Sequence, residues 1–171
     1  DYPFKGLTRL LHGIRYGELI TITAGSGVGK SSFCRHIATQ LLRNGERVGY
    51  LALEVSNRRT ALGVMSVAES KAFHIGDHDK ATLEAAYDRT VAAWNLFLYD
   101  GFGSNDPDVI YNRIDYLANG LDSRIIFMDH LSILLSGLEG DERRMIDTTM
   151  TKLRSLVERT GVAMFLVSHL K

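Results

Sequence analysis

The 171-residue sequence holds one cysteine, Cys34, no excess charge of either sign and no long apolar run. A single thiol excludes an intrachain disulfide and a thiolate metal cluster. Its place among apolar positions of a helix marks a small buried hydrophobe. Twenty basic residues balance twenty acidic ones, for a formal net charge of zero. There is thus no overall electrostatic footprint for a polyanion, although a local patch, or charges lining one face of an oligomer, stays open. No apolar run reaches about 18 residues and no signal peptide is present, so neither secretion nor a membrane span is signalled. A cytoplasmic, reducing compartment is the expectation. Internal repeats and low-complexity segments are also lacking. The length suits one domain with a real core. The sequence opens without methionine and stops at Lys171 just after an apolar strand, and so reads as part of something longer.

What is present is a phosphate-binding loop. The apolar run Leu19 to Ile22 feeds Ala24-Gly25-Ser26-Gly27-Val28-Gly29-Lys30-Ser31-Ser32, and the helical pattern Phe33, Ile37, Leu41 follows. Glycines at alternate positions permit dihedrals that turn backbone N–H groups onto an anion. The helix adds its unpaired N–H groups and positive dipole end. Gly25 to Gly29 with Ser32 would cradle a nucleotide, Lys30 would reach its β- and γ-phosphates, and the Ser31 hydroxyl would complete a Mg²⁺ shell. The strict pattern asks for glycine where Ala24 stands. A tight turn with a surface lysine is the plainer alternative, and it leaves three glycines unexplained, each costly to order.

Strands are expected at Leu19–Thr23, Val48–Leu53, Leu96–Tyr99, Arg124–Met128 and Val162–Val167. Helices are expected at Lys30–Arg43, 56–70, 80–94, 108–119 and Glu142–Thr160. Residues 80–94 would turn Leu83, Ala86, Tyr87 and Val91 to one face, and 108–119 would turn in Val109, Ile110, Ile114 and Leu117. Residues 131–141 are expected to form a glycine-containing connection. Alternation of apolar strands with helices predicts a three-layer α/β sandwich on a mostly parallel sheet. Residues 1–18 read as a segment leading into a core over 19–171.

Glu54, Asp129 and His169 each end an apolar strand, at the sheet edge where ligands of open α/β folds sit. Asp129 could hold a water on Mg²⁺, or be an ordinary strand-end acid. Glu54 could orient and deprotonate an attacking water, or cap the helix near Ser56. His169 could donate to a γ-phosphate, or be a satisfied rim group. His130 is a weaker candidate, as a partner behind Asp129. His74 and His78, with Asp77 and Asp79, lack metal-ligand spacing and read as solvated turn residues. Arg143, Arg144, Lys152 and Arg154 could meet nucleic-acid phosphates, but a solvated helix start explains them as well.

With these residues in view, the sequence resembles the ring-forming replicative DNA helicases of the RecA-like superfamily, nearest the helicase domain of T7-like phage primase-helicases. The stretches that carry the resemblance are Ala24–Ser31, Leu53-Glu54-Val55-Ser56, Phe97-Leu98-Tyr99-Asp100, Asp129-His130-Leu131-Ser132, Gly140 to Asp147, Met150-Thr151-Lys152-Leu153 and Ser168-His169-Leu170-Lys171. The resemblance implies an ATP- or dTTP-driven translocase with Mg²⁺, a homo-hexamer threading single-stranded DNA, working with primase and DNA polymerase. Glu54 would be its catalytic glutamate, Asp129 the Walker B aspartate, His169 the phosphate sensor, and 131–141 a central DNA-binding loop. Later DNA loops and an arginine finger would lie beyond Lys171. Val55 stands where the phage proteins have a second acid. A recombinase or repair ATPase on the same fold is the alternative; a nucleotide-gated scaffold or a small-molecule kinase is a third, and no acceptor lid supports the kinase.

Overall fold

A computed structural model describes residues 1–101, 106–136 and 141–169, apart from the side chains of Glu142 and His169. Its elements are α1 (Lys5–Leu11), β1 (Leu19–Ala24), α2 (Lys30–Arg43), β2 (Val48–Ala52), α3 (Asn57–Glu69), α4 (Lys80–Arg89), β3 (Leu96–Leu98), α5 (Pro107–Asp115), a π-turn (Tyr116–Gly120), β4 (Ile125–Asp129), α6 (Leu131–Ser136), α7 (Glu142–Thr160) and β5 (Ala163–His169). The five strands form one sheet in the order β1-β5-β4-β2-β3, every pair parallel.

The strand period of two sorts the apolar residues onto two faces. Val48, Tyr50, Ala52, Ile125, Phe127, Phe165 and Val167 meet α2 and α3 on one side. Leu51, Leu53, Ile126, Met128, Met164 and Leu166 meet α5, α6 and α7 on the other. Both faces are therefore covered, which is why the central strands read as continuous apolar runs. On the α2 side the register places Tyr50 opposite Phe127 and Phe127 opposite Phe165. Their rings stack across the three strands, with centroids 5.3 and 4.6 Å apart. The N-terminal segment covers this side too. Tyr2 packs edge-on against Phe165, and Phe4 stacks on Phe33.

Helix limits follow side-chain caps. Ser56, Asp79, Asp106 and Asp141 each accept a backbone N–H at the head of α3, α4, α5 and α7. Gly161, at φ +67°, closes α7 in the left-handed conformation that favours glycine.

Three expectations need correction. Residues 131–136 form a helix rather than a loop, because Leu131 and Leu134 are buried against α7 and the sheet; residues 137–140 lie outside the described part. The helix expected at 80–94 ends at Arg89, where the buried Thr90 hydroxyl turns back to the Ala86 carbonyl, and Tyr87 is 47 % exposed instead of packed. The helix expected at 108–119 stops at Asp115 and passes into the π-turn, and Val109 is 38 % exposed.

Candidate functional site

Register alone brings the strand ends together. Ala24, at the root of the glycine loop, lies opposite His169 of β5; Val167 lies opposite Asp129, and Asp129 opposite Ala52. The Leu53 N–H donates to the Asp129 carbonyl at 2.8 Å, which ties the last residue of β4 to the segment bearing Glu54. The result is a cleft of about 350 Å³ lined by Ser26, Gly27, Gly29, Lys30, Ser31, Ser32, Glu54, Asp129, His130 and Val167. Of the residues expected from sequence, Lys30, Ser31, Glu54 and Asp129 converge there. For His169 only the backbone position is described, one strand from the loop.

The loop has the geometry an anion needs. Gly27 and Gly29 hold φ of +75° and +98°, open to glycine and strained for other residues. Ala24 keeps ordinary strand dihedrals, so the departure from glycine costs nothing at that position. Its carbonyl accepts from Lys30 Nζ at 2.8 Å, and that of Gly25 at 2.7 Å. These bonds hold a buried ammonium group at the mouth of the loop.

Asp129 is 4 % exposed, and its Oδ1 is buried without a hydrogen-bond partner among the described residues. A buried carboxylate oxygen left unpaired costs roughly 1–3 kcal/mol or more. A hydrated divalent cation between Asp129 and the half-buried Ser31 would satisfy it, so the donor set fits Mg²⁺. Glu54 is different. Its side chain is 54 % exposed and reaches His130, with Oε2 lying 3.0 Å from Nε2. Ser56, not Glu54, caps α3, which removes the capping explanation for this acid. Val55 turns instead toward the α2-side core.

Sequence reasoning missed the residues on the outer wall. A neighbouring cleft, lined by Ser31, Arg35, Glu54, Val55, Arg59 and His74, continues outward from Glu54. The one signal for Arg35 was its position a helical turn beyond Ser31. Ser132, whose hydroxyl pairs with His130 Nδ1, stood in the Asp-His-Leu-Ser stretch without an assigned part. His74 and His78 do structure their loop, as turn residues: His74 meets the Ser66 hydroxyl, and His78 the carbonyls of Ala72 and Ile75. Among the described residues no group of three or more His, Cys, Asp or Glu side chains is placed to hold a metal. No helix there is long and apolar enough to cross a membrane. Of the basic residues on α7, Arg154 is paired with Glu158 and Lys152 lies over the Tyr111 ring, while Arg143 and Arg144 are exposed.

A glycine loop joins the first strand to a helix, with Asp129 ending β4 and Glu54 just past the end of β2 on the same edge of the parallel sheet; this is the layout of a phosphate-binding P-loop domain. A family model described as AAA domain matches residues 3–171. The chain belongs to that AAA domain family. It is 35 % identical over 175 residues to a DNA helicase/primase of Enterobacteria phage T3, an alignment that takes in 98 % of this chain and 31 % of the phage protein. The chain thus spans about a third of that relative's length. Among solved structures, a DnaB-like replicative helicase described with its interactions with primase superposes at a TM-score of 0.81 over 100 % of this chain and 43 % of that one, at 18 % identity. A second solved structure, described as an ATPase domain, gives 0.80 at 17 % identity, covering 98 % of this chain and 62 % of that one. A KaiC-like protein of Pyrococcus horikoshii gives 0.72 at 19 % identity, covering 99 % and 69 %. These likenesses establish the RecA-like fold.

Proposed function

We propose that this domain hydrolyses a nucleoside triphosphate, ATP or dTTP with Mg²⁺, to drive translocation on single-stranded DNA and duplex unwinding in replication. The observation that carries the reading is the convergence of Lys30, Ser31, Glu54 and Asp129 on one cleft above the glycine loop. The phage T3 relative supports the replicative setting.

In this mechanism the loop's N–H groups and the head of α2 hold the phosphates, and Lys30 exchanges its carbonyl contacts for β- and γ-phosphate oxygens. Ser31 and Asp129 would hold the cation. When bound there, Mg²⁺ would supply positive charge to offset that of the terminal phosphates. Glu54 orients the attacking water and takes its proton as the water oxygen bonds Pγ and the Pγ–O bond to the leaving nucleoside diphosphate breaks. His169, whose backbone pairs with Ala24 at the root of the loop, reads the γ-phosphate. DNA is met by the segment after α6 together with the exposed Arg143 and Arg144; α6 itself is given over to packing. A homo-hexamer that works with primase and DNA polymerase completes the reading.

Stimulation of hydrolysis by single-stranded DNA in the intact protein is the test. At least about tenfold stimulation, lost at high salt as phosphate contacts are screened, is expected. Hydrolysis indifferent to DNA, or phosphate transfer to a small acceptor, contradicts the reading.

A further inference from the structure

A half-exposed glutamate is a poorly defined base. Left unrestrained, its side chain samples several rotamers, and fixing one costs up to roughly 2 kcal/mol. Water activation needs a fixed carboxylate, because misplacement by about 1 Å can cost on the order of 10²-fold in rate. Glu54 is held. His130, its ring 6 % exposed, places Nε2 3.0 Å from Glu54 Oε2, and its Nδ1 pairs with the hydroxyl of Ser132. A carboxylate only accepts, so in the neutral ring the proton lies on Nε2 and Nδ1 accepts from Ser132. The backbone beneath is fixed as well, through the Leu53 N–H to the Asp129 carbonyl and the pairing of Ala52 with Asp129. Ser132 sits in the first turn of α6, whose Leu131 and Leu134 anchor it in the core.

We propose that His130 is a positioning residue for Glu54, with Ser132 setting the orientation of the ring. The inference rests on the reading of Glu54 as the base. The direction of the effect follows from the geometry. Glu54 bound to His130 still lines the cleft with Lys30, Ser31 and Asp129, so the contact keeps the carboxylate at the nucleotide site and does not withdraw it. One oxygen is anchored, and the other is left for water. The packing of α6 that corrected the expected loop thereby acquires a purpose, since a mobile connection could not set the ring.

The test uses the intact protein and DNA-stimulated hydrolysis, with His130→Ala, His130→Gln and Ser132→Ala made in the wild type and, for single-turnover measurement, in Glu54→Gln. His130→Ala is expected to lower kcat by about tenfold or more while KM and the affinity for a nonhydrolysable triphosphate stay within about threefold. His130→Gln, whose amide N–H reaches where Nε2–H stood, recovers most of the loss. Ser132→Ala gives a smaller loss of the same kind. In the Glu54→Gln background His130→Ala adds nothing, because a residue that acts through Glu54 has no further effect once the base is gone. Unchanged or raised kcat in His130→Ala overturns the proposal, as does a glutamine variant no better than alanine, or additivity with Glu54→Gln. If hydrolysis depends on Glu54 but not on His130, the positioning role alone falls. If the wild type hydrolyses no triphosphate, the function reading falls and takes this inference with it.

Discussion

Replacing Glu54 by glutamine separates chemistry from binding. The substitution keeps the size of the side chain and its acceptor oxygen toward His130 Nε2. The position is more than half exposed and makes no cap, so stability should change by no more than about 0.5 kcal/mol. What is lost is the group that takes the proton from water. General-base catalysis is worth about 10²–10⁴-fold, so turnover should fall at least about 10²-fold, which is about 2.7 kcal/mol on the barrier. Affinity for a nonhydrolysable triphosphate should hold or tighten, since a negative charge is removed beside the phosphates. Steady-state hydrolysis of the intact protein with saturating single-stranded DNA, set beside analogue binding by calorimetry, reads both quantities. Turnover within about threefold of wild type would remove Glu54 from its role. A parallel fall in affinity would mean that the residue binds rather than reacts.

Other expectations concern the scaffold. A Cβ at Gly49 would lie 2.9 Å from Leu117 Cδ1 in the core; Gly49→Ala should therefore destabilise by about 1 kcal/mol once the entropic gain is set against overpacking, and a variant with a higher urea midpoint would refute this. Burial, with the Asp129 charge adding to it, pushes the Cys34 thiol up to about 12. The native thiol should react with an aromatic disulfide reagent at least about 100-fold more slowly than the unfolded chain, and comparable rates would show that the α2 face is open. The hydroxyl and then the N–H of Thr82 hold the Asp79 carboxyl below the ordinary aspartate value of 3.8. Its contribution to stability is complete above that value and disappears as pH falls toward the lower folded one. Asp79→Asn, which keeps the cap without the charge, should lose less stability than wild type on acidification into that window; identical urea midpoints across the range would deny the coupling.

The parts legible in the sequence were those written locally. Helix α2 was found at its observed limits because glycines precede it and Asn44-Gly45 follow. Helix α7 is legible because Met145, Ile146, Met150, Leu153, Leu156 and Val157 recur at helical spacing; the Asp141 and Gly161 caps then fix its ends. The gathering of Glu54 and Asp129 was legible too, since both end apolar strands and parallel sheets present such ends on one edge. Helix α6 was not, because a short apolar run before serine and glycine fits a connection as well as a helix, and burial of Leu131 and Leu134 decides the matter. Tyr87 was misplaced because the helical period continues on paper past Arg89, where the chain turns. The contact between His130 and Glu54 was beyond reach, because it depends on β4 lying beside β2, a neighbour relation set by the whole sheet.

In the proposed mechanism the glycine loop, Asp129 and Glu54 surround one γ-phosphate. A crystal structure of the intact protein with Mg²⁺ and a nonhydrolysable triphosphate tests it most directly. The phosphates should lie on the loop, with Asp129 Oδ1 bonded to a water on the metal and Glu54, still held by His130, facing the γ-phosphate. A triphosphate seated elsewhere, or Asp129 and Glu54 both turned away from it, would contradict the claim.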